Sequence, residues 1–216
     1  KGEFVTFLDV DDWWNEKFLS SRKNFFLSNK KYGFSFSNCL HYYENLKKFE
    51  SFYNKKLPSG YILDYLLRYY FVKLSTIILK RELLKNYKFN EYYNIIGDYD
   101  LIIRVSKKFK GMGFQDKLVN IRIHRYNFTH NNRKMFYKEF KNWINDQNFN
   151  NYFFKKNKSF LFLKLEYLRL IYLLMEEKNF GLLVDIFKFP KFYSKIKLLI
   201  IFFIPGFILR LKKEYF

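Results

Sequence analysis

Residues 4–8, Phe-Val-Thr-Phe-Leu, form a short β-prone apolar run that stops at Asp9-Val10-Asp11-Asp12. No other feature of the chain limits its possible folds so tightly. The run reads as a buried strand that delivers three carboxylates at its C-terminal end. In open α/β sheets ligands bind at that end of the strands. Like charges this close raise each other's pKa, so the cluster needs something to neutralise it. A hard divalent cation is one solution, because magnesium and manganese take oxygen ligands and share one or two carboxylates with substrate phosphates. A solvated acidic turn is the other.

The pattern downstream keeps to mixed α/β texture for about 120 residues. Apolar positions Phe18, Leu19, Phe25 and Phe26 predict a helix over 15–28, and residues 32–37 predict a returning strand. A helix is expected over 57–71, around Pro58-Ser59-Gly60, and an apolar strand over 74–79 that feeds residues 81–85. A polar loop, 88–97, precedes a helix over 98–109 whose first turn carries Asp98 and Asp100, where exposed amides and the helix dipole favour acids. Residues 117–124 alternate as a strand. After about Arg125 only helices are expected, over 134–148, 159–177 and 191–213. The predicted architecture is therefore α/β, a mixed sheet with flanking helices over 1–130, followed by an all-helical basic extension over 131–216.

Composition excludes some classes. With 49% hydrophobic residues in 216, an intrinsically disordered chain is excluded. The single cysteine, Cys39, excludes an internal disulfide framework and a multi-cysteine zinc site. The chain has no alanine and is rich in Lys, Asn, Phe, Tyr and Ile, the signature of an A/T-rich, bacterial genome, so its aromatic content says little about function. The net charge of +20 still attracts polyanions: nucleic acid, anionic lipid head groups or nucleotide phosphates. Residues 198–209 are free of charge but broken by Pro205-Gly206, and fall short of the ~20 apolar residues of a membrane span. Lys195 and Lys197 before them, with Arg210, Lys212 and Lys213 after, suit an amphipathic anchor over 191–213 at an anionic membrane surface. A core helix with a solvated basic end is the alternative. The chain opens on Lys1 directly into a strand and reads as a fragment.

Three stretches together resemble one known family. Residues 2–14, Gly-Glu-Phe-Val-Thr-Phe-Leu-Asp-Val-Asp-Asp-Trp-Trp, resemble the strand and DxD motif of the family 2 nucleotide-sugar glycosyltransferases, whose fold is GT-A, a Rossmann-like arrangement. Gly97-Asp98-Tyr99-Asp100-Leu101-Ile102-Ile103-Arg104 resembles that family's ED-Y-D-L-x-x-R helix start, and Val119-Asn120-Ile121-Arg122-Ile123-His124 its closing strand with an Arg-x-His ending. The resemblance covers roughly residues 1–130.

It implies a partial GT-A fold and a bacterial, cytoplasmic enzyme, peripheral at the inner face of the membrane. Such an enzyme moves a sugar from a nucleotide-diphosphate donor to a saccharide or lipid-linked acceptor hydroxyl. By resemblance, Asp9 and Asp11 hold Mn2+ or Mg2+ and the donor diphosphate, with Asp12 in support, and Asp98 is the general base of an inverting reaction. Asp100 and Arg104 fall in the substrate-binding motif, and His124 contacts metal or diphosphate. Trp13 and Trp14 form either an acceptor platform or part of the core. Gly97 stands where the family has Glu, and the Gln-x-x-Arg-Trp signature of processive synthases is missing, which implies single-sugar addition. The family's N-terminal half, with its nucleotide-binding contacts, does not occur in these residues, which implies an open sheet edge and raises the alternative of an inactive remnant. A basic module binding single-stranded nucleic acid competes more weakly, because the cations are dispersed and the acid cluster repels phosphate.

Overall fold

A computed structural model describes residues 2–204 as mixed α/β, in two compact units that meet at the His124–Arg125 bond. The first unit holds two four-stranded mixed sheets. One sheet has the order β1 (Phe4–Thr6), β6 (Ile78–Lys80), β3 (Tyr32–Ser37), β7 (Lys110–Phe114); β6 runs antiparallel to both neighbours, and β3 and β7 are parallel. The other has the order β2 (Trp13–Trp14), β8 (Val119–Ile123), β4 (Leu40–Tyr43), β5 (Lys48–Ser51), with β8 and β4 parallel. Three helices accompany them: α1 (Lys17–Ser28), α2 (Leu63–Arg68) and α3 (Gly97–Ser106).

Helix α1 packs with both sheets. Its Phe18 and Phe26 bury against Cys39, Ile78 of β6 and Val119 of β8, joined by partly buried Phe4, Trp14 and Ile121. Arg22, on the same helix, is 1% exposed. Its guanidinium is paired with both carboxylate oxygens of Asp116 and lies 3.9 Å from the centre of the Phe114 ring. The planar cation is held by a bidentate acid on its edge and an aromatic face beneath it, which is how arginine is retained in a core.

Strand β7 is hard to see in sequence because Lys-Gly-Met-Gly-Phe has little β propensity. Packing dictates its glycines. A Cβ on Gly111 would strike the ring of Phe34, and one on Gly113 would lie 2.8 Å from Leu57 Cβ. Gly60, at φ +99°, pairs with Gly111 in an antiparallel bridge, so the segment before α2 lies along the β7 edge in extended form. The expected helix over 57–71 is cut to Leu63–Arg68 for that reason. The expected strand over 74–79 likewise begins as a 3-10 turn, Leu74–Thr76, before β6. Strands β2, β4, β5 and β7 were not expected.

The second unit is helical throughout its described residues: α4 (Phe128–Asn131), α5 (Arg133–Asn145), α6 (Tyr152–Glu176), α7 (Leu182–Lys188) and α8 (Phe192–Phe203). Helix α6 starts seven residues before the expected position, capped by Asn151, whose side chain accepts from Phe153 N at 3.1 Å. Leu170, Ile171 and Leu174 of α6 bury against Leu182 and Ile186 of α7 and Leu198, Ile201 and Phe202 of α8. Among the described residues no helix is long and apolar enough to cross a membrane. The remainder of the expected anchor, 205–213, lies outside them.

Candidate functional site

The acid loop after β1 is folded back on itself and tied to distant strands. Asp12 N donates to Asp9 O at 3.1 Å, closing a turn. Beneath it stands Ser75, 1% exposed, in the 3-10 turn before β6. Asp9 N donates to Ser75 Oγ at 3.2 Å, Ser75 Oγ donates to Asp12 Oδ2 at 2.6 Å, and Trp14 Nε1 donates to Ser75 O at 2.8 Å. The other Asp12 oxygen accepts from Arg122 N of β8 at 3.1 Å. Two donors on one carboxylate favour its charged form. Burial outweighs them: desolvation, with smaller contributions from Asp9 and Asp11, pushes Asp12 up to about 6. Asp9, a largely exposed residue, is also raised, by desolvation first and Asp11 second.

Asp11 and His124 are 113 positions apart in sequence, and the structure brings Asp11 Oδ2 to 2.8 Å from His124 Nε2. The pairing of β2 with β8 does this: Trp13 lies opposite Asn120, so the residues flanking the ladder, Asp11 and His124, converge at one end. Two neighbouring ligands of an octahedral ion with bonds near 2.1 Å stand about 3 Å apart, so this pair has the spacing of ligands to a shared cation. Among the described residues no group of three or more His, Cys, Asp or Glu could hold a metal ion on its own. A carboxylate and an imidazole do fit a cation whose remaining ligands are substrate phosphates and water, the usual manner of magnesium binding.

Asp98 sits in the first turn of α3. Its Oδ2 accepts from Tyr70 OH at 3.2 Å and its Oδ1 from Tyr99 N at 2.7 Å. Burial, and then the Asp98 charge, hold the Tyr70 hydroxyl well above its ordinary pKa, so it remains a donor at neutral pH. One ring spans the gap to the acid loop's strand. Phe89 lies edge-on to Phe7, with ring centres 5.2 Å apart, and its Cδ1 is 3.4 Å from where a Cβ on Gly97 would be. The start of α3 and the segment leading into Asp9 thus flank the same phenyl group.

Asp100, 6% exposed, is engaged by Arg104 at 2.7 Å, and Arg104 Nη2 donates to Lys88 O at 2.6 Å. This pair fastens the loop before α3 to the helix. Trp13 and Trp14 point to opposite faces of the small sheet. Trp14 stacks near Phe18 in the core, with ring centres 5.1 Å apart, and Trp13 meets Tyr42 and Phe49 on the other face. The polar set around the cluster is therefore Ser75, Arg122 and Tyr70 as well as the acids. Ser75 and Tyr70 carry no sequence signal of their own, since a lone serine or tyrosine acquires its role from what the fold places against it.

A cleft of about 1050 Å³ opens elsewhere in this unit, along the β7 edge, lined by Tyr53, Lys55, Lys56, Tyr65, Tyr69 and Met112 among others. None of the acid cluster lines it. No family model matches the chain, and a search of curated proteins found no match.

Proposed function

We propose that the first unit is part of a GT-A-type glycosyltransferase, moving a sugar from a nucleotide-diphosphate donor to a hydroxyl of a saccharide or lipid-linked acceptor. The observation that carries this reading is the 2.8 Å approach of Asp11 to His124 beside two further acids. Asp11 and His124 would hold Mn2+ or Mg2+ together with the donor diphosphate. A divalent cation there neutralises charge on the departing diphosphate. Asp98 accepts the proton of the attacking hydroxyl as the new glycosidic C–O bond forms and the bond from the anomeric carbon to the diphosphate breaks. Tyr70 fixes that carboxylate by donating to one oxygen. Keeping the base on α3 and the cation ligands on the β1 and β8 ends lets one site be negative while the other is neutralised.

The test is release of nucleoside diphosphate by the chain from a panel of UDP- and GDP-sugars, with Mn2+ and saccharide acceptors. Asp98→Asn is expected to lower kcat roughly 100- to 10,000-fold while leaving the donor KM near its original value. Equal rates in the two proteins would remove Asp98 from the role of base, and no release from any donor would overturn the reading.

Contact with an anionic membrane surface is part of the same proposal, and the second unit supports it. On α8, Phe192, Ile196, Ile200 and Phe203 are exposed at helical spacing, while Leu198, Ile201 and Phe202 face the core. Lys191, Lys195 and Lys197 accompany the exposed stripe. The chain is expected to float with vesicles of phosphatidylcholine and phosphatidylglycerol but not of phosphatidylcholine alone, and Phe192→Ser with Ile200→Ser is expected to abolish flotation. Equal flotation of the double variant would exclude the stripe.

A further inference from the structure

The small sheet has two unlike faces. Along β8 the residues Val119 and Ile121 go with Trp14 into the core around α1, while Asn120, Arg122 and, continuing the alternation, His124 belong to the opposite face. Strand register places Trp13 opposite Asn120, Tyr42 opposite Arg122 and Phe49 opposite Tyr42 on that same face. Three rings are thus gathered across three strands. Trp13 is 5.8 Å from Tyr42 and 6.3 Å from Phe49, and Tyr42 and Phe49 are 4.8 Å apart, centre to centre. Phe49 is 48% exposed, and Trp13 and Tyr42 are partly so.

Charged groups border the rings. The guanidinium of Arg122 lies 5.8 Å from the centre of the Trp13 ring, and Arg122 Nη1 is 3.4 Å from Glu44 Oε1, with both side chains nearly half exposed. The backbone N of Arg122 is the same group that donates to Asp12. The platform therefore adjoins the acid cluster through one residue, and it shares a face with His124.

We infer that Trp13, Tyr42 and Phe49 form a stacking subsite for a pyranose ring of the acceptor, with Arg122 and Glu44 as donor and acceptor to its hydroxyls. A pyranose presents one face of weakly positive C–H groups and a rim of hydroxyls. The negative faces of aromatic rings suit the first, and a paired cation and anion suit the second. Glu44, with the acids beyond it, disfavours a phosphate-bearing occupant such as a nucleotide or nucleic acid. This assignment rests on the glycosyl-transfer reading for the identity of the acceptor, but not for the binding itself.

Saturation-transfer NMR tests it, with methyl β-D-glucopyranoside, methyl β-D-galactopyranoside and N-acetylglucosamine as probes, in metal-free buffer and again with Mn2+ and UDP. At least one glycoside is expected to bind through its C–H face. Trp13→Ala and Phe49→Ala, with unchanged circular dichroism, are expected to weaken binding roughly threefold to tenfold, and Trp13→Phe to restore most of it. Binding is also expected to persist in Asp11→Asn. No glycoside binding under either condition, equal binding in the wild type and both alanine variants, or displacement of the glycoside by UMP without metal would overturn the subsite. Glycoside binding without any donor turnover upholds the platform while removing the transfer reading, and donor turnover without glycoside binding does the reverse.

Discussion

Replacing Asp11 with Asn is expected to lower Mn2+-dependent release of nucleoside diphosphate by more than about 100-fold at pH 7. Loss of a group that merely orients a metal ligand costs about 10- to 100-fold, and Asp11 would be a ligand itself. Asn keeps the shape and removes the charge, so the cation loses its anionic partner beside His124 Nε2, 2.8 Å away. The fold is expected to survive, because the Asp11 charge raises the pKa of both Asp9 and Asp12, and removing it relieves them. His124→Asn should give a similar loss, and the double variant little more, since the two would act on one cation. The measurement is turnover against Mn2+ concentration for the four proteins of that cycle. Turnover of Asp11→Asn within twofold of wild type, or fully additive losses, would remove the pair from cation binding.

Ser75→Ala is the second large effect, and it separates structure from chemistry. The hydroxyl receives Asp9 N–H and donates to Asp12, so its loss leaves one buried donor without that acceptor and one carboxylate without that donor. A destabilisation of roughly 1–3 kcal/mol at pH 7 is expected, the range for losing hydrogen bonds to a charged group in a partly buried place. The pH dependence carries a sign that can be checked. Asp12 is raised from 3.8 to about 6 in the folded chain, so the folded state holds this proton more tightly than the unfolded one. The protein's stability therefore falls as pH rises from about 4 to about 6, and the cost is constant above that window. Ser75 lowers the Asp12 pKa, so in Ser75→Ala the window extends above 6. Melting temperatures at pH 4 to 8 should show the variant still losing stability above pH 6, where the wild type has levelled. Parallel curves for the two proteins would mean that the Ser75 bond does not govern Asp12.

Much of the first unit was legible from local pattern. Strand β3 has the bounds its sequence predicted, and α1 and α3 lie within two or three residues of theirs, because each has enough apolar periodicity to declare itself. The hairpin of β4 and β5 did not, since Leu-His-Tyr-Tyr and Lys-Phe-Glu-Ser mix polar and aromatic residues without clean alternation. Strand β7 was concealed by glycines whose purpose lies in Phe34 and Leu57, two side chains far from it in sequence. Asp100 and Arg104 show the same limit. Their spacing of four is visible in the sequence, but that Arg104 also holds Lys88 O depends on the path of a loop.

The sequence by itself determined that three carboxylates emerge together from an apolar strand, because covalent neighbours cannot be separated, and that a fourth begins a helix, because helix starts select acids. Only the tertiary structure decided which of them share a partner. Asp11 meets His124, Ser75 lies under Asp12, and Trp13 parts from Trp14, all through pairing between strands separated by scores of residues. Such pairings depend on which loops close and which faces bury, quantities that belong to the whole chain, so no short stretch of it encodes them.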